Sequence, residues 1–241
     1  MACLLCTWIC NRLAGPDSGS RAVWRAAERW EDDFAVKWEP AEADDALRQR
    51  WSEADSLFDD DPAASLAIHR KLAEGGSAYS MLKLAWHYDN RTERDQAAAE
   101  EYYRQALCAG SWRATIGYAH RLFERGAHDK WPSTLGDGVQ HGFIPSCYWL
   151  AWYTYERNPK ARTAREVRPL LEAAAAAGHP GAKLILARWA ASGKFGLREV
   201  PRGLRMLREI ASVVMGGEDA SGLAATDDRA PAPAILAVNT A

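Results

Sequence analysis

Residues 173–200 read AAAAAGHPGAKLILARWAASGKFGLREV, and that stretch decides the fold. An alanine run ends at Gly178, His179-Pro180-Gly181 follow, and a dozen helix-forming residues lead to Gly193-Lys194-Phe195-Gly196. Glycine is favoured just past a helix C-terminus, where the backbone turns left-handed. The stretch therefore reads as the end of one helix, a tight turn, a second helix, and a glycine-marked loop into a third. The layout recurs upstream. Gly76, Gly110, Gly142 and Gly178 each follow one apolar-periodic run and precede another, at spacings of 34, 32 and 36 residues. A near-constant period of this size marks a stacked helical-repeat architecture.

Offsets from the four glycines give the unit. Four residues on stand Ser80, Ala114, Ser146 and Ala182; eight on, Leu84, Tyr118, Leu150 and Leu186; nine on, Ala85, Ala119, Ala151 and Ala187. These offsets share one helical face. The small residues let two helices approach closely, and the large ones fill the groove beside them. Four residues before each glycine stand Leu72, Ala106, Gly138 and Ala174, and fifteen before stand Asp61, Asp95, Ala127 and Thr163. Asp or Thr at the latter position predicts a helix N-cap. Each unit is thus a helical hairpin closed by a glycine turn. Pro132, Gly136 and Gly138 predict that the helix over 130–141 is short or partly unwound, and Pro169 predicts a late start or a kink in its helix.

Gly178, Ala182, Leu186 and Ala187, followed by Gly193, Gly196 and Leu197, resemble the Sel-one-like repeat family, relatives of the tetratricopeptide repeats. So do Asp95, Ala99, Tyr102-Tyr103 and Ala106 running into Gly110. The resemblance covers about residues 60–214. The chain departs from the family's pattern in carrying alanine at the ninth offset, where the family usually has glycine, and in a shorter loop over 89–94. The resemblance implies an all-α, right-handed α-solenoid of about four helical hairpins with capping helices. Some secreted members carry a disulfide in every repeat. Cys108 and Cys147 do not supply that pattern, which points to a reducing, cytoplasmic setting.

The flanks complete the organisation: a flexible N-terminus over 1–19, a helical N-terminal cap over 20–59, the repeats over 60–215, and a disordered tail over 216–241. Solenoid ends need an atypical unit to cover the exposed core. Val23, Ala26, Ala27, Trp30 and Phe34 share one helix face, as do Leu47, Trp51, Ala54 and Phe58. The cap is acidic, with 12 carboxylates between Glu31 and Asp61 against Lys37, Arg48 and Arg50. That charge reads as a solvated face or as a surface that steers a basic partner. Leu204, Leu207, Ile210, Ala211 and Val214 stripe a last helix that caps the other end. The apolar run from Cys3 to Cys10 is too short to span a membrane and lacks the form of a signal peptide.

No reaction is legible. Cys3, Cys6 and Cys10 have metal-like spacing on the first pair but lack a second pair to complete a zinc site. No HExxH, phosphate-binding loop or GxSxG element is present, so no catalytic residue, metal or cofactor is expected. The net charge of −2 argues against nucleic acid. Arg104, Arg113, Arg121, Arg125 and Lys130 form a modest basic cluster that could hold an anion.

The aromatic residues carry the strongest functional reading. If offsets four, eight and nine face neighbouring helices, offsets three, seven and ten face outward. This puts Tyr79, Lys83, Trp86, Arg113, Gly117, His120, Pro145, Trp149, Trp152, Gly181, Ile185 and Arg188 on an outer face. Aromatics and arginine dominate interface energies. Tyr79, Lys83, Trp86, Arg113, His120, Trp149, Trp152 and Arg188 are therefore the expected concave-face residues of a non-catalytic adaptor that binds a partner protein or peptide. The competing readings are an enzyme or small-ligand protein using a pocket of His87, His120 and nearby arginines, and a structural subunit of an envelope assembly.

Overall fold

The structure, a computed structural model, describes residues 18–36, 45–90 and 95–215. Among them the regular elements are all helical: α1 (Ser18–Val36), α2 (Asp45–Ser56), α3 (Pro62–Glu74), α4 (Ala78–Asn90), α5 (Gln96–Cys108), α6 (Arg113–Glu124), α7 (Trp131–Gln140), α8 (Ile144–Arg157), α9 (Ala161–Ala176), α10 (Pro180–Ala191), a 3₁₀ turn (Leu197–Glu199) and α11 (Val200–Met215). The expected N-terminal segment, its cysteine cluster and the C-terminal tail lie outside the described residues.

Six of these helices end identically, and the reason is the glycine. Gly76, Gly110, Gly126, Gly142, Gly178 and Gly193 hold φ between 75° and 100°, a region that costs a residue with a Cβ. In each case the glycine N–H donates three residues back and the next N–H donates five back. In α9, Gly178 donates to Ala175 O at 3.0 Å and His179 to Ala174 O at 3.0 Å; in α3, Gly76 donates to Ala73 O at 2.9 Å and Ser77 to Leu72 O at 3.1 Å. This pair of bonds satisfies carbonyls that the helix leaves orphaned. Leu72, Ala106, Gly138 and Ala174, the residues four before each repeat glycine, are the acceptors of the longer bond.

The small residues do the packing assigned to them. Ser80, Ala85, Ala114, Ala119, Ser146, Ala151, Ala182 and Ala187 are all fully buried. Leu84, Leu150 and Leu186 are buried beside them, while Tyr118 is half-buried. Asp61 and Asp95 cap α3 and α5, each accepting from the backbone N–H three residues on at 3.0 Å. Thr163 does not cap: α9 begins at Ala161, and Thr163 is buried inside it. Ala127 also lies outside a helix start, since α7 begins at Trp131. α7 is short, as expected, but regular, because Pro132 falls in its first turn, where its missing N–H has no partner to lose. α9 runs through Pro169, which is exposed.

The chain divides into two compact units. The central unit is Ala35–Thr134; the split unit combines Met1–Phe34 with Leu135–Ala241. In the central unit α2 packs on α3, α3 on α4, α4 on α5 and α5 on α6. Its core gathers Leu66, Ala73, Met81, Leu84, Ala106 and Ala114. In the split unit α8 packs on α9, α9 on α10 and α10 on α11. α11 covers α10 as the expected C-terminal cap, and Gly203 permits the approach: a Cβ there would lie 2.2 Å from Ala191 N.

Of the two helices expected in the N-terminal cap over 20–59, α2 packs on α3 in the central unit. α1 packs in the split unit, where Val23, Trp24, Ala26 and Ala27 are buried. Its ring contacts are with Phe143 and Tyr148 of the α8 hairpin and with His179 at the start of α10. An apolar helix face states that a helix is covered, and many hairpin surfaces satisfy it equally.

Candidate partner-binding surfaces

In the central unit, α2 lies against the offsets expected to face outward from α4. Asp55 is the anchor. Its carboxylate accepts from Tyr79 Oη at 2.5 Å and from Lys83 Nζ at 3.0 Å, and lies 3.3 Å from His69 Nε2. Burial pushes the Asp55 carboxyl up, but the hydrogen bonds from His69, Tyr79 and Lys83 outweigh it, and the group ends well below the usual carboxylate range. Burial, with the bond to Asp55, raises the Tyr79 phenol above its ordinary value. Aromatics flank the anchor: the Trp51 ring sits 4.6 Å from Tyr79, and Phe58 sits 5.7 Å from Trp86. Trp51 Nε1 also donates to Ser77 Oγ at 3.2 Å. Trp51 and Asp55 are spaced i, i+4 on one face of α2, and Phe58 lies in the turn that follows the helix.

The split unit repeats the device with α1. Glu31 Oε1 lies 2.8 Å from His179 Nε2 and accepts from Trp149 Nε1 at 3.1 Å. His179 is fully buried and caps α10, its Nδ1 accepting from Ala182 N–H at 3.2 Å. With Nδ1 accepting from Ala182, Nε2 carries the proton and donates to Glu31. Tyr148 stacks on the same imidazole at 4.3 Å, and Trp30 closes on it at 5.0 Å. Phe34 reaches Phe143 at 6.1 Å. Gly181 leaves room for α1: a Cβ there would lie 2.8 Å from the Trp24 ring.

The two docks share a pattern the sequence reading passed over. Glu31-x-x-Phe34 and Asp55-x-x-Phe58 each place a carboxylate at the Nε2 of a fully buried histidine, His179 and His69 respectively, with tryptophan on the same helix. The spacing was the available signal; the destination of each helix was not.

The expected concave-face residues therefore lie as follows. Tyr79, Lys83 and Trp86 are half-buried under α2. Arg113 is half-buried at the start of α6 and acts electrostatically on Tyr79. Arg188 is half-buried on α10. Three placements differ from the outward orientation expected. Trp149 and Trp152 are buried at 2% and 6% exposure, because α1 covers the first and the split-unit core encloses the second. His120 is buried at 3% exposure, with Nε2 3.2 Å from Glu124. Gly117, Pro145, Gly181 and Ile185 are buried too, Gly117 beneath the Tyr103 ring.

A buried ionic cluster joins α4 to α6. Arg121 reaches Asp89 at 2.9 Å and also pairs with Glu124. Burial depresses the His120 imidazole below its ordinary value, against the pull of Glu124. His87 contacts the rings of Phe58 and Tyr88. Of the basic residues expected to hold an anion, Arg104 pairs with Glu101 and Arg125 with Glu100. Cys147 is buried and its thiol is raised to about 11 by that burial, whereas Cys108 is exposed. Among the described residues no group of three His, Cys, Asp or Glu could hold a metal, and no helix is long and apolar enough to cross a membrane. No protein-family model, curated protein or solved structure matches this chain.

Proposed function

We propose that the protein is a non-catalytic adaptor of the Sel-one-like, tetratricopeptide-related kind, whose stacked hairpins bind a helical segment of another protein. The observation that carries this reading is that two hairpin surfaces already hold helices of the same chain through an aromatic–carboxylate–aromatic anchor set. Rigid hairpins present such side chains in one arrangement, which lowers the ordering cost of binding. Half-buried Trp86 and Arg113 in the central unit, and half-buried Arg188 in the split unit, are the residues through which a partner of each unit would extend the contact. The test is affinity capture from the native host, followed by reconstitution of the complex from purified components. A directly binding partner should lose about tenfold or more in affinity across Trp86→Ala, Arg113→Ala and Arg188→Ala. A reconstituted complex indifferent to all three substitutions, or a chain that captures no protein and instead converts a small molecule, refutes the proposal.

A further inference from the structure

We infer that the α1 groove of the split unit is a recognition site for a partner helix carrying Glu or Asp three residues before Phe, and that α1 is its built-in competitor. The inference rests on the adaptor reading and names the chemistry of its ligand. Three observations carry it. First, connectivity does not hold α1 in place locally: Glu31 lies 118 residues from Trp149 and 148 from His179. The dock is held by its own side-chain anchors, and the tether supplies only an effective concentration.

Second, the groove demands a specific occupant. His179 Nε2–H and Trp149 Nε1–H are donors aimed at one point, and both side chains are buried. A helix without a carboxylate there would leave them unsatisfied, a cost that falls on every wrong ligand. Phe143 gives the aromatic of the ligand its seat one turn away. Third, a carboxylate of α2 likewise meets a buried histidine Nε2: Asp55 lies 3.3 Å from His69, which sits within α3, and Phe58 of the following turn reaches Trp86. A second buried histidine that draws a carboxylate from an N-terminal helix supports the acid as the ligand's central anchor.

The probe is a fluorescent peptide of residues 18–36, made helical by a staple across positions 21 and 25, which are exposed in the intact chain. It is titrated into the full chain and into the full chain carrying Glu31→Gln with Phe34→Ala. Binding should be about tenfold or more tighter to the variant than to the wild type, since the competitor is weakened. A peptide with its own Glu31→Gln change should bind about tenfold more weakly than the native peptide. Adding Gly181→Ala to the variant should abolish binding, because the new methyl meets Trp24 of the peptide. Equal binding to wild type and variant, or equal binding of both peptides, overturns the inference. Hydrogen exchange on the wild-type chain covers a variant that fails to fold. Excess native peptide should strip protection from residues 21–34 of α1 and leave α8 and α10 protected; unchanged α1 protection at saturating peptide overturns the inference. So does a reconstituted partner that binds while α1 stays protected, an outcome that leaves the adaptor reading intact.

Discussion

Two glycine-to-alanine substitutions, identical in chemistry, should move stability in opposite directions. Gly203 is where α11 meets α10. A Cβ there lies 2.2 Å from Ala191 N, 2.7 Å from Ala190 C and 2.8 Å from Ala187 O. All three are backbone atoms that cannot rotate away, and ordinary contact begins near 3.4 Å, so α11 must retreat. Overpacking of this kind costs about 1–3 kcal/mol, and helix propensity returns at most about 1 kcal/mol. Backbone contact on three atoms places the cost near the top of its range, for a net loss of about 1–2 kcal/mol. For a chain of this size that lowers Tm by roughly 2–8 °C. Gly136 sits inside α7 with nothing within 4 Å of its Cβ position. Gly136→Ala should therefore keep the propensity gain of about 1 kcal/mol and raise Tm by roughly 2–4 °C. Thermal melts followed by far-UV circular dichroism, with urea titrations as a check, read both. If Gly203→Ala is as stable as wild type, the close approach of α11 to α10 is wrong; if both variants shift the same way, the steric argument fails.

Asp55→Asn should destabilise the chain by about 1–2 kcal/mol in urea titrations, since Lys83 loses its counter-charge and the bonds from Tyr79 and His69 weaken. Because the Asp55 carboxyl titrates below its ordinary value of 3.8, its contribution is intact above that pH and fades as pH falls through and below it; the gap between wild type and Asp55→Asn should close there. His120 is depressed by burial from 6.5, so the unfolded chain takes up its proton first: stability should fall as pH drops below 6.5, and His120→Asn should flatten that dependence in pH-dependent melts. Ala187→Leu forces an isobutyl group into a fully buried site and should cost about 1–3 kcal/mol or more, whereas the same change at exposed Ala63 should be nearly neutral.

Local chemistry was readable from sequence, and long-range choice was not. The recurring glycines announced their left-handed turns because few other residues tolerate φ near 90°. Ala85, Ala119, Ala151 and Ala187 announced close helix contacts because each recurs at one offset, and each is fully buried. Asp61 and Asp95 were legible as caps because a carboxylate there has a fixed backbone target. His179 was not, since histidine is an uncommon cap; its Nδ1 takes the role because its Nε2 is drawn toward Glu31. The outward orientation expected of Trp149 and Trp152 rested on the hairpin alone. A surface that faces outward on a hairpin is still available to another segment of the chain, and α1, arriving from 118 residues upstream of Trp149, takes it.

The two docks differ in a way that decides which of them can exchange. Asp55 meets a cation, Lys83, only 28 residues away, together with Tyr79 at a separation of 24. Its charge is neutralised in place, and the short connection keeps α2 close even when its contacts open. Glu31 meets an indole N–H and an imidazole N–H across separations of 118 and 148 residues. A ligand is selected there by the geometry of two hydrogen bonds converging on one carboxylate oxygen and by an aromatic seat. Selection of that kind distinguishes Glu from Lys or Leu sharply, because either replacement leaves buried donors without an acceptor. It also costs an incoming helix only the displacement of a distant segment. A groove with specific demands and an occupant tethered from far along the chain has the physical form of a regulated binding site, whereas the α2 dock has the form of a permanent one.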